Sequence, residues 1–168
     1  TREGRNAMNT HFIGIDPGLD GAIAILAQNT LRLVDMPTFL VKRNGKMRRL
    51  LDLGQIAEIF RAYPDDTAFF ALVEDVHSSP VQSPTAAFSF GFSAGAVQGI
   101  LAALKVPYDR VTPQQWKGQY GLLRQDKDAS RLRASQLMPH HAHQWPLKKH
   151  DGRAEAALLA RLAETFNL

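Results

Sequence analysis

The sequence predicts an α/β fold: a three-strand antiparallel meander extended by parallel strands, giving one mixed sheet flanked by helices. Three observations carry the prediction. Short runs rich in β-branched residues crowd the opening stretch around tight-turn residues. Farther on, strand-length apolar runs alternate with stretches of helical periodicity. The chain then closes on one long amphipathic pattern.

Residues 1–9 read as a vector-derived leader around Met8, and residues 10–168 as a single domain. In 12–25, two Ile-rich runs flank Asp16-Pro17-Gly18, the composition of a hairpin. Alternation places Asp16 on one face with Phe12 and Gly14, and Ile13 and Ile15 on the other. Residues 30–37 supply a third strand. Then come Lys42, Arg43, Lys46, Arg48 and Arg49 around Asn44-Gly45, expected as a loop, either merely solvated or contacting phosphates. Residues 51–63 carry helical spacing that Pro64 ends. Residues 69–76 form a buried strand holding Glu74, and a Ser/Pro loop follows at 78–84. In the long helix expected over 85–104, Ala87, Gly91, Gly95, Gly99 and Ala103 fall in one stripe. Each helical Gly costs roughly 1 kcal/mol against Ala, so the stripe implies close approach of another backbone. A short strand at 106–111 leads to Thr112-Pro113, a helix start, with Trp116 and Lys117 in the turn. Helices are expected over 127–137, with Arg131 and Arg133, and over 151–166, preceded by Lys148-Lys149-His150.

The composition narrows the classes. There is no cysteine, so disulfides and thiolate chemistry are excluded, which fits a reducing compartment. No apolar run approaches the length of a membrane span, and no membrane partner is expected. A net charge of +4 and a pI near 9.6 are compatible with a polyanionic partner.

The last helix gives Asp16 its meaning. Asp151 and Glu155, four apart, head the face that continues through Leu158, Leu159, Leu162 and Phe166, the stripe expected to pack on the sheet. The helix dipole favours both acids there, and Asp151 also suits an N-cap. Asp16 and Glu74 are expected at equivalent ends of two strands, which would let four carboxylates converge at one sheet edge. Such a cluster repels itself unless a cation holds it, and all-oxygen ligands suit Mg²⁺ or Mn²⁺. Two such ions activate a water and stabilise the leaving oxygen of a phosphodiester.

With IGIDPG, then VED on a later strand, then KKHDGRAEAALLA, the chain resembles the RuvC-like Holliday-junction resolvases of the RNase H superfamily. It is most similar to their chloroplast and phage branch, through the KKH-x-GRAEA run, the Phe/Gly-rich helix around Phe88 and Phe90, and Pro113-x-x-Trp116-Lys117. The resemblance implies an RNase H-like fold, a homodimer and two-metal nicking of four-way DNA junctions. It implies Asp16, Glu74, Asp151 and Glu155 as metal ligands and Lys117 as a basic residue at the scissile phosphate. Phosphate contacts would come from Lys42, Arg43, Lys46, Arg48, Arg49, Lys127, Arg131, Lys148 and Lys149. Two departures stand out. The bacterial resolvases space their last acids three apart, and the chloroplast branch can carry His where this chain has Asp151. Where an aromatic wedge would follow the second acid there is His77, leaving His77, Phe88 or Phe90 to open the junction. The resemblance places the chain in the cytoplasm of a bacterial or phage-infected cell, with an organelle as the alternative.

His140, His141 and His143 lie in a Pro-flanked loop without partners at ligand spacing and are expected to be solvated. Trp116 is expected as a core anchor, and Asp20 as a turn residue. The competing functions are hydrolysis of another polynucleotide, such as RNA in hybrids or a fork, and junction binding without cleavage. The Asp-x-Gly phosphate loop of sugar kinases and actin starts similarly, but those chains need two such domains, so no nucleotide cofactor is expected.

Overall fold

The computed structural model describes residues 10–75, 77 and 81–166. The meander forms as the pattern requires: β1 (Thr10–Ile15), β2 (Ala22–Ala27) and β3 (Thr30–Asp35) pair antiparallel, with Ile13 opposite Ile25 and Ala24 opposite Leu33. Beyond it lie β4 (Thr38–Arg43), β5 (Lys46–Leu51), the helix α1 (Leu53–Arg61) and β6 (Ala68–Glu74). Helix α2 (Pro84–Ala103), β7 (Tyr108–Val111), α3 (Pro113–Gln119), α4 (Lys127–Leu137) and α5 (Asp151–Phe166) complete the order. β6 runs parallel to β1 and β7 parallel to β6, so the five-stranded sheet reads β3-β2-β1-β6-β7. This is the expected mixed sheet.

Strand alternation divides the core in two. Ile13, Ile15, Ile23, Ile25, Ala71 and Val73 turn toward Ile56 and Phe60 of α1 and Val97 and Leu101 of α2. Phe12, Ala22, Ala24 and Leu72 turn the other way, onto Leu158, Leu159 and Leu162 of α5 and the buried Trp116 and Trp145. Each fully buried Leu or Ile contributes roughly 2 kcal/mol of apolar transfer. Gly14 lets α5 approach: a Cβ there would collide with the Ala156 carbonyl and the Ala160 amide. That contact lays the helix backbone directly on the central strand.

The structure corrects several expectations. The basic segment is not a loop but a two-stranded hairpin, β4 with β5, closed by Asn44 and Gly45 at φ 51° and 74°. Two successive left-handed residues of that composition are the preferred two-residue hairpin connection. Its residues are mostly exposed, so no buried face imposed an alternating pattern. Helix α1 starts at Leu53 because Leu51 is claimed by β5 and the Asp52 side chain caps, accepting from the Gln55 N–H. β6 ends at Glu74, and β7 begins at Tyr108 rather than 106. The leader (1–9), Val76 and part of the Ser/Pro loop (78–80) lie outside the described residues. Asp151 is no N-cap: its backbone is already helical, following a 3-10 turn at Lys148–His150. Phe166, expected on the buried stripe, is half exposed.

Contrary to the sequence reading, α2 is long and apolar enough to cross a membrane. Its inner side, Ser93, Val97 and Leu101, is buried against this chain. The stripe of Gly91, Gly95 and Gly99 faces outward, where an added Cβ would meet nothing within 4 Å among the described residues.

Candidate active site

The site begins with strand register. Ile15 of β1 pairs with Val73 of β6, so Asp16 and Glu74 stand side by side at the carboxyl ends of adjacent parallel strands. In open α/β sheets that edge is where ligands bind. Alternation turns both toward the α5 side, with Phe12 and Leu72. The Asp16 amide donates to the Ala22 carbonyl (3.1 Å), and its Oδ1 accepts from the Gly18 N–H (3.1 Å). One oxygen thus shapes the turn while Oδ2 has no hydrogen-bond partner among the described residues. Burial pushes the Asp16 carboxyl up to about 6, against the Gly18 hydrogen bond that lowers it, with the Glu155 charge raising it further. Glu74 is buried and pushed up to about 7, first by desolvation and then by the Asp16 charge. The indole N–H of Trp116 donates to Glu74 Oε1 at 2.8 Å and partly offsets this.

Helix α5 brings the second pair. Gly152 seats its first turn on the β1–β2 turn: a Cβ there would collide with the Asp20 carbonyl and stand 3.3 Å from Asp16 Oδ2. Arg153 locks that turn from the side, donating to both Asp35 oxygens (2.6 and 2.7 Å) and to the Gln144 carbonyl (2.9 Å). Glu155 Oε1 accepts from the Ser130 hydroxyl (3.1 Å) and lies 3.2 Å from Lys117 Nζ. Asp151, its carboxyl raised chiefly by burial, has Oδ1 3.5 Å from Arg131 Nε, without hydrogen-bond geometry. The same guanidinium donates to Asp128 (2.8 Å) and to the Trp145 carbonyl (3.5 Å).

All four carboxylates and Lys117 line one open cleft. Each acid has one oxygen facing a protein donor or cation, and the other has no partner among the described residues. The all-oxygen donor set and the raised carboxyls suit a hard divalent cation. Lys117 already brings a positive charge to Glu155. As the side chains stand, no three carboxylates or imidazoles among the described residues are spaced to hold one ion. An ion held by three of these groups would need their free oxygens to draw closer together than they stand here.

The other predicted residues divide by position. Arg49, Lys127, Lys149 and Phe90 line the cleft with the acids, and Arg49 is paired with Asp20, which is more than a turn residue. Lys42, Arg43, Lys46 and Arg48 stand exposed on the hairpin. Lys148 is exposed, 3.8 Å from Asp128. Arg131 is mostly buried and engaged with acids rather than facing the cleft mouth. Phe88 is 77% exposed on α2, and His77 is exposed, 3.8 Å from Asp75. The histidine cluster serves structure: His141 Nε2 bonds the Asn29 carbonyl, and His143 Nδ1 the His140 carbonyl. Trp116 is the buried core anchor that the sequence suggests, but its bond to Glu74, the role of Ser130 and the Arg153–Asp35 clamp escaped the sequence reading. Their local signals were a Trp preceding Lys117 and an Arg between two site acids.

No family model and no curated protein matches the chain. Solved structures do. The chain is similar to T. thermophilus RuvC in complex with a Holliday junction substrate, at 17% identity and a TM-score of 0.58, covering 92% of this chain and 97% of that one. It is also similar to a second Thermus thermophilus RuvC structure, at 18% identity and a TM-score of 0.53, covering 92% and 95%. The likeness shows the RNase H-like fold of the RuvC structures, as the sequence resemblance implied.

Proposed function

We propose that this protein is a structure-selective DNA endonuclease that resolves four-way junctions by paired, metal-dependent phosphodiester hydrolysis. The observation that carries the reading is the cleft on a RuvC-type sheet where Asp16, Glu74, Asp151 and Glu155 each keep one oxygen without a protein partner. These four would hold two Mg²⁺ or Mn²⁺ ions per site. When bound, the ions supply Lewis acidity for a water nucleophile and a leaving oxygen. Lys117 would then swing from Glu155 toward the scissile phosphate, a move its partial exposure allows. Arg49, Lys127 and Lys149 at the cleft, with the exposed hairpin cations Lys42, Arg43, Lys46 and Arg48, supply positive charge suited to phosphate backbones. Phe90 at the cleft, or the exposed Phe88 or His77, would unstack bases at the crossover.

Paired nicks require two sites in fixed relation, which a two-fold dimer provides. The outward face of α2 supports such an assembly. Phe88, Phe92, Gly95 and Gly99 are exposed there, and the stripe does not pack on this chain's own sheet. The proposed setting is the cytoplasm of a bacterial or phage-infected cell.

The test is incubation of the protein with end-labelled synthetic junctions, forks, RNA/DNA hybrids and duplex, with and without Mg²⁺. Symmetric cuts confined to junctions and dependent on metal are expected. Preferential cutting of hybrids or forks would replace the substrate class, and binding without cuts would replace the reaction.

A further inference from the structure

Resting on that reading, we propose that Trp116 and Ser130 are positioning residues for the metal ligands: each holds one oxygen of a site carboxylate and leaves the other for an ion. Trp116 comes from α3, whose start is fixed by the Thr112 and Gln115 capping box. Its ring is 0% exposed, its N–H reaches Glu74 Oε1 at 2.8 Å, and Glu74 itself is 7% exposed. Ser130, in the first turns of α4, is 3% exposed and donates to Glu155 Oε1 at 3.1 Å.

The chemistry of these donors suits the task. An indole N–H can only donate, so it fixes which Glu74 oxygen is occupied without competing for a proton. Both donors are neutral, so they orient the carboxylates without cancelling the charge that attracts a cation. Arg131, facing Asp151, and Lys117, facing Glu155, do cancel charge and must be displaced or outcompeted. A buried ionised carboxylate without a donor is costly, so Glu74 needs such a partner even before an ion arrives. Outer partners of metal ligands typically change metal affinity or activity 10–100-fold when removed.

Calorimetric titration of Mn²⁺ into the DNA-free protein reads this directly. Trp116→Phe keeps an aromatic ring in the core near Lys117 but removes the N–H together with the five-membered half of the indole, so its effect is read only in a folded variant and beside the Ser130 pair. Ser130→Ala removes only the hydroxyl, and Ser130→Thr restores one. We expect Trp116→Phe and Ser130→Ala each to weaken Mn²⁺ binding by about tenfold or more. Junction affinity in metal-free buffer should stay within about twofold of wild type, because neither side chain reaches the surface. Ser130→Thr should restore Mn²⁺ affinity. Folded Trp116→Phe and Ser130→Ala proteins that bind Mn²⁺ like wild type would overturn the proposal, while loss of binding in Asp16→Asn left the metal reading standing. Should Trp116→Phe fail to fold, Ser130→Ala and Ser130→Thr decide alone. A wild-type protein that takes up no Mn²⁺ would overturn both readings together.

Discussion

The strand-borne acids and the helix-borne acids reach the same cleft by different physics. Asp16 and Glu74 are placed by the β1–β6 ladder, and their held oxygens meet neutral donors, the Gly18 amide and the Trp116 indole. Asp151 and Glu155 are placed by the docking of α5 through Gly14 and Gly152, and they face the cations Arg131 and Lys117. In the strand pair burial outweighs the lowering by hydrogen bonds and by the Lys117 charge, so the carboxyls are raised to about 6 and about 7. The helix pair has a cation close to each acid, Arg131 beside Asp151 and Lys117 beside Glu155, although burial still raises the Asp151 carboxyl.

The largest expected effect separates the two halves. Asp16→Asn should reduce single-turnover junction cleavage to background while leaving junction binding nearly intact, because in the proposed reading the acid positions ions rather than DNA. Asp151→Asn should retain measurable cleavage, since Arg131 already faces that carboxylate. Equal losses in the two variants would break the distinction.

Next comes a variant that leaves both halves untouched. Gly95→Leu fills the open stripe on α2 and should give a folded monomer, read by sedimentation, that nicks junctions without paired cuts. A dimer indistinguishable from wild type would show that the stripe is not the contact between subunits. An unfolded chain would mean that the position is structural.

Gly152→Ala probes the helix half alone. Its Cβ drives α5 off the Asp20 carbonyl, an overpacking cost of about 1–3 kcal/mol. Cleavage should fall further than junction affinity in the same protein. Unchanged cleavage with lowered stability would show that the first turn of α5 need not sit so close to Asp16.

The strand half should also be visible as pH-dependent stability without metal. The unfolded chain releases the two protons near the ordinary values of 3.8 and 4.5, while the folded chain keeps them to about 6 and about 7. The folded state binds more protons across that window, so stability falls as pH rises from about 4 to 7 and levels off above it. Asp16→Asn should accordingly stabilise the metal-free protein at pH 8 by on the order of 1–3 kcal/mol and do little at pH 4. Denaturant midpoints across pH measure this, and added Mg²⁺ should restore wild-type stability at pH 8. A flat profile would mean that the strand acids are compensated after all.

The smallest effect lies on the rim. Arg48→Ala with Arg49→Ala should weaken binding to every DNA sequence tested and flatten the salt slope by up to about two units, less for the part of Arg49 already spent on Asp20. An unchanged slope would return the hairpin to a merely solvated role and leave the basic rim to Lys127 and Lys149.

Several features were decided locally and could be read from residue order. Ile-rich runs around Asp16-Pro17-Gly18 favour a hairpin by local turn and strand preference, and Thr112-Pro113 starts a helix through its own side chain and ring. The spacing of Asp151, Glu155, Leu158 and Leu159 puts acids at the head of a buried stripe before any sheet exists. Other features depend on partners distant in sequence. The β4–β5 hairpin carries charges on both faces, so only its turn geometry and pairing reveal it. Arg131 looked like a phosphate contact until packing set it between Asp128 and Asp151. Trp116 meets Glu74 across 42 residues, and Ser130 meets Glu155 across 25. Periodicity reports which face of an element is buried, because burial repeats with the backbone. The single donor that holds a given oxygen does not repeat, and only the assembled sheet and helices decide it.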